Sequence, residues 1–131
     1  MKTSSWSGTD AAAHVRLSVV IPTYGRAERV ARLVTDLAGQ TLSPRAFEVV
    51  VVDDGSPEDP RPRLAAVEVP FRLVVERQAN HGPAAARHRG VELARGDVVL
   101  FLDDDMIPAP RLLEEHLAAH DATLRANAAS R

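Results

Sequence analysis

The chain of 131 residues has no cysteine. Disulfides, zinc held by thiolates and thiol nucleophiles are therefore excluded. It carries almost no net charge, −2 at neutral pH. That balance gives no bulk attraction for a polyanion, and nucleic acid is not expected as a partner. No apolar run approaches the roughly 20 residues that a membrane-spanning helix needs. The opening MKTSSWSGTDAAAHVR lacks the apolar core of a signal peptide. Residues 1–16 are read as a flexible lead that includes Trp6, and the cytoplasm is the expected location. Neither GxxxxGK nor GxGxxG occurs, there is no internal repeat, and Ser18 and Ser56 lack the context of a nucleophile.

What remains has the balance of one soluble domain, with 45% apolar and 26% charged residues. A chain of this size buries roughly two-thirds of its unfolded surface, enough for a real core. The apolar segments LSVVI (17–21), FEVVVV (47–52), FRLVV (71–75) and VVLFL (98–102) read as strands. Pro22 is expected to stop the first. Between them lie helical patterns. Arg26 to Gly39 carries Val30, Leu33, Val34 and Leu37 on one face, with Gly39 as C-cap. The proline-rich stretch 57–63 permits only a short, late helix. Ala84 to Ala94 follows Pro83, which suits a first helical position. A last helix starts near Pro108 or Pro110. The domain is expected to span 17–120, with a flexible tail over 121–131.

Strands alternating with helices imply an α/β fold, a mainly parallel four-stranded sheet with helices on both faces. Right-handed crossovers then bring the strand ends to one rim. There the sequence is polar and acidic: Thr23-Tyr24, Asp53-Asp54 and Asp103-Asp104-Asp105. An Asp after a strand often caps the next helix, but a cap needs one carboxylate, and three in a row repel one another. Bare buried carboxylates cost several kcal/mol each, so these must face water, a cation or a ligand. Two carboxylates at i and i+2 can hold a hard divalent cation, which in turn can clamp a diphosphate. Asp53 and Asp54 can accept hydrogen bonds from a ribose or a base. Arg87 and Arg89 add positive charge near the rim. His116 and His120 stand at i and i+4, but HLAAH lacks the Glu of a zinc-protease helix and reads as an ordinary helix face.

LSVVIPTYGR, EVVVVDDGS, NHGPAAARHRG and GDVVLFLDDDMIP occur in this order from Leu17 onward. The set resembles family 2 glycosyltransferases of the GT-A fold, over roughly Leu17 to His120. The resemblance implies a Rossmann-like nucleotide-binding half that binds a nucleotide-diphosphate sugar for transfer to an acceptor hydroxyl. It implies that Pro22, Thr23 and Tyr24 line the nucleotide pocket. Asp54 reads the base with Asp53 beside it, and Arg87 lies near the nucleotide. The DxD motif falls on Asp103-Asp104-Asp105. Asp103 and Asp104 face the ribose, and Asp105, with Asp103, holds Mn²⁺ or Mg²⁺. The acceptor, whether glycan, lipid or small molecule, is not specified.

Gly25 and His88 stand where the family usually has Asn. Family members continue well beyond the DxD with an acceptor half that carries a catalytic base. Met106 to Arg131 contains nothing similar, so this chain is expected to bind donor and to transfer little alone. Two other readings compete. A haloacid-dehalogenase-like phosphatase would use Asp103 as nucleophile and Asp105 as acid/base, although its motif normally opens the domain. A non-catalytic module would use an open sheet edge for self-association or partner binding.

Overall fold

Alternation along the strands sorts their side chains onto two faces. The structure, a computed structural model, describes residues 14–129. Its strands are β1 (Leu17–Thr23), β2 (Phe47–Asp53), β3 (Arg72–Arg77) and β4 (Val98–Phe101). They form one parallel sheet in the order β3-β2-β1-β4. The helices are α1 (Ala27–Leu37), α2 (Arg61–Ala65), α3 (Pro83–Leu93) and α4 (Leu112–Ala129). One sheet face places Leu17, Val19 and Ile21 of β1 with Val49 and Val51 of β2. These pack on Val30, Leu33, Val34 and Leu37 of α1, Leu64 of α2, and Leu113 and Leu117 of α4. On the other face Val20, Val50 and Val52 meet Ala86 of α3. The α3 layer is thin because its buried residues are Ala86 and Gly90. A Cβ on Gly90 would collide with Val20 Cγ1, so the helix lies directly against the sheet. The α/β architecture with helices on both faces is thus as expected. Among the described residues no helix is long and apolar enough to cross a membrane.

Three local expectations need correction. From the sequence alone β1 stops at Pro22. In the structure it continues to Thr23, with Pro22 opposite Val52. The ladder with β4 ends at the Val20–Phe101 pair. Pro22 points its ring nitrogen to that side, where no strand requires a donor. Gly39 does not cap α1 in a left-handed conformation. Ala38, in the α region, is the C-cap, and Gly39 N–H donates to Asp36 C=O at 3.0 Å.

The third correction concerns the chain's two ends. α4 runs through to Ala129, past the expected start of a flexible tail at Asp121. Arg16, from the expected lead, donates to both Asp121 oxygens at 2.9 and 3.2 Å. These bonds hold the Asp121 carboxyl below its ordinary range. Val15 is buried. The tie joins residues 105 positions apart, a separation at which local periodicity carries no signal. The rest of the expected lead (1–13) and of the tail (130–131) lies outside the described residues.

The amino ends of the strands close on a satisfied polar cluster. Fully buried Glu48 accepts from Arg72 Nη1 at 2.7 Å, Ser18 Oγ at 2.6 Å and Arg95 N–H at 2.6 Å. Ser18 Oγ also accepts from Gly96 N–H at 2.8 Å. A Cβ on Gly96 would lie 2.7 Å from the Ser18 nitrogen, so only glycine fits this crossing.

Candidate functional site

The carboxyl ends of β1, β2 and β4 line a cleft of about 500 Å³. This is the rim at which open α/β sheets bind ligands. Pro22, Thr23, Tyr24 and Arg26 enter from β1 and the turn after it, and Asp54 from the end of β2. The loop before α3 gives Asn80, Gly82 and Pro83, the helix gives Ala86 and Arg87, and the end of β4 gives Asp103, Asp104 and Asp105. All the expected site residues except Asp53 therefore come together.

Asp53 and Asp54 have opposite fates. Asp53 is fully buried and does not line the cleft. It accepts from Ser56 N–H at 3.0 Å, from Ser56 Oγ and from Arg77 Nε at 3.1 Å. Ser56 Oγ in turn accepts Gly25 N–H at 2.7 Å. Asp53 thus fastens the loop after β2 to the loop after β1, and its oxygens are occupied. It sits behind the cleft lining, where it holds the two loops together.

Asp54 is buried but borders the cleft. Its carboxylate accepts Gln78 Nε2 at 2.9 Å, His81 N–H at 2.8 Å and Gly82 N–H at 2.9 Å. Burial alone would push this carboxyl up. The Gln78 amide and the two backbone donors outweigh it and hold the group below the ordinary range. Two glycines permit the loop contact. Gly55 has φ +80°, and a Cβ there would lie 2.9 Å from Asn80 N; Gly82 has φ +99°.

The acidic triplet splits in the same way. Asp104 is buried and accepts Thr23 Oγ1 at 2.8 Å and Arg26 Nη1 at 3.1 Å. Asp103 and Asp105 are exposed at the cleft. The nearest cations to Asp105 are Arg26 Nη1 at 4.0 Å and Arg29 Nη1 at 3.9 Å, beyond hydrogen-bond reach. Arg87 is exposed on the cleft and makes no ion pair with the described residues.

Among the described residues no three His, Asp or Glu side chains are grouped to hold a metal ion. Two free carboxylates flanking an occupied one do suit a hard cation that takes its remaining oxygens from phosphate and water. His116 and His120 are half-buried on α4 and belong to no such group.

Arg26 closes the motif LSVVIPTYGR but has no role assigned from the sequence, although it borders the cleft. Arg26, Arg29 and Arg32 recur every third position at the start of α1, a basic stripe that could have flagged it. The docking of loop 80–82 on Asp54 had no sequence signal, because its donors are mainly backbone groups.

Known proteins are similar to this chain in sequence and in fold. Validoxylamine A glucosyltransferase of Streptomyces hygroscopicus subsp. limoneus is 40% identical over 113 residues, covering 84% of this chain and 25% of that protein. Staphylococcus aureus TarS (residues 1–349), solved in complex with UDP-GlcNAc, superposes with a TM-score of 0.74 at 32% identity. The match covers 82% of this chain and 32% of that 1–349 chain. The mannosyltransferase PcManGT of Pyrobaculum calidifontis, solved with GDP-Man and Mn²⁺, gives 0.61 at 27% identity, with 76% and 30% covered. The chain thus spans a quarter to a third of the length of these relatives. The matches do not favour the phosphatase or the non-catalytic reading. Residues 18–131 match the family described as Glycosyl transferase family 2, and with the four motifs in order around one cleft, this chain belongs to that family.

Proposed function

We propose that this chain is the donor-binding portion of a glycosyltransferase. Its cleft takes a nucleoside-diphosphate sugar, and the whole protein transfers the sugar to an acceptor hydroxyl. One observation carries the reading. At the end of β4, two exposed carboxylates, Asp103 and Asp105, flank a buried and satisfied Asp104 inside a cleft of about 500 Å³. That volume suits a small-molecule ligand. The relatives solved with UDP-GlcNAc and with GDP-Man and Mn²⁺ support a nucleotide-sugar donor.

Asp103 and Asp105 would hold Mn²⁺ or Mg²⁺ against the diphosphate. When bound, the cation supplies charge neutralisation of the leaving diphosphate. Pro22, Thr23 and Tyr24 form one wall for the nucleotide, with Tyr24 half exposed. Asp54 shapes the facing wall by fixing loop 80–82. Arg87 supplies a positive charge that makes no ion pair with the described residues. No cleft residue is assigned as general base.

Calorimetry with UDP-glucose and GDP-mannose, with and without Mn²⁺, tests the reading. Binding of at least one donor is expected in Mn²⁺, weakened about tenfold or more by Asp105→Ala. No binding of either donor, or binding indifferent to Asp105→Ala, would sink it.

A further inference from the structure

We infer that Arg26 is a diphosphate-binding residue positioned by buried Asp104, and that it couples cation and diphosphate binding in the cleft. The inference rests on the donor-binding reading and adds a residue outside the DxD run.

Asp104 is nearly enclosed. Its side chain is 7% exposed, and a buried carboxylate persists only with compensation. Thr23 provides a neutral donor and Arg26 the positive charge. The middle carboxylate of the triplet is therefore an anchor rather than an open ligand. Arg26 itself is 49% exposed and borders the cleft. A guanidinium has five N–H groups in a planar fork. One nitrogen is bound to Asp104, and no other side-chain hydrogen bond ties Arg26 to the described residues. An arginine fixed at one nitrogen keeps its other N–H groups open to an anion that arrives with a cation held at Asp103 and Asp105.

Asp105 supplies the coupling. Its carboxylate lies 4.0 Å from Arg26 and 3.9 Å from Arg29, so two guanidinium groups loosely neutralise it. A divalent cation arriving alone meets their repulsion. A diphosphate arriving with it gives Arg26 a new anionic partner and removes that repulsion. Each ligand therefore raises the affinity for the other, and the effect is reciprocal.

The experiment uses the full chain with UDP, GDP, uridine, guanosine and Mn²⁺ as probes. Titration in Mn²⁺ is expected to show Arg26→Gln weakening whichever diphosphate binds by about tenfold. The matching nucleoside should be unaffected, and Arg26→Lys should recover part of the loss. Electron paramagnetic resonance of free Mn²⁺ should show tighter Mn²⁺ binding in Arg26→Gln without nucleotide, and a smaller gain when UDP or GDP is added. Because Arg26→Gln strands a buried carboxylate, the Arg26→Gln/Asp104→Asn double variant, checked by circular dichroism, repeats both measurements with no stranded charge. Equal effects on nucleoside and diphosphate, or no effect on either, overturn the inference. So does Mn²⁺ affinity that is unchanged without nucleotide. If the unaltered chain binds no nucleotide, the donor-binding reading falls as well. If it binds one in an Asp105-dependent but Arg26-independent way, only this inference falls.

Discussion

The two ends of the sheet use similar chemistry for different purposes. β2 carries Glu48 next to its first residue and ends with Asp53, both fully buried. β3 sets an arginine in register with each, Arg72 opposite Glu48 and Arg77 opposite Asp53. Both pairs are bonded, at 2.7 and 3.1 Å. At the amino end Ser18, Arg95 and Gly96 complete the set around Glu48. At the carboxyl end a similar core is also closed: Asp53, Asp54 and Asp104 each have hydrogen-bonded partners. Beyond it lies a second layer, Asp103, Asp105 and Arg87, that is not closed. The Glu48 cluster at the amino end is thus closed on its own partners. The carboxyl end spends its inner carboxylates on rigidity and keeps its outer ones open for a ligand.

The largest expected effect tests the amino end. Glu48→Ala leaves Arg72 half-buried without its carboxylate and takes an acceptor from Ser18 and the Arg95 amide. A loss of about 3–5 kcal/mol in urea unfolding is expected, with donor affinity kept by the fraction that stays folded. A matching loss of affinity in that folded fraction would break the contrast between the ends.

Asp54→Asn should cost less, about 1–3 kcal/mol, because an amide group replaces one acceptor that faces N–H donors. It should also weaken donor binding by loosening loop 80–82. The native Asp54 carboxyl is held below its ordinary value. Its stabilisation is therefore complete above the unfolded-state value and is lost as pH falls through the lower native value. Acid titration of stability should show the unaltered chain losing this advantage over Asp54→Asn only at the acid end. An advantage that instead grew as pH fell would contradict the assignment.

The smallest effect on stability belongs to the outer layer. Asp103→Asn is expected to change unfolding by no more than about 0.5 kcal/mol while reducing the Mn²⁺ dependence of donor binding. If stability falls as far as for Asp54→Asn, Asp103 belongs to the closed core.

Much of this was legible in the chain. Continuous aliphatic runs identified the buried parallel strands, Pro83 identified the start of α3, and the acidic strand ends identified the rim. Finer assignments were not legible. Asp53 and Asp54 are neighbours of the same residue type, yet one turns under the rim to Ser56 and Arg77 while the other meets loop 80–82. Asp104 turns inward between two outward carboxylates for the same reason: a strand exit alternates its side chains, and the partners that wait on each side come from other segments. The helix continues over 121–129, where a flexible tail was expected, and Asp121 within it is held by Arg16 from the far end of the chain.

The sequence by itself determined which elements form and that their ends would be acidic, because periodicity and composition act over a few residues. Only the tertiary structure decided which carboxylates became anchors and which stayed free. That choice depends on which donors, here Thr23, Arg26, Arg77 and the backbone of 81–82, arrive within hydrogen-bond distance from segments far away along the chain.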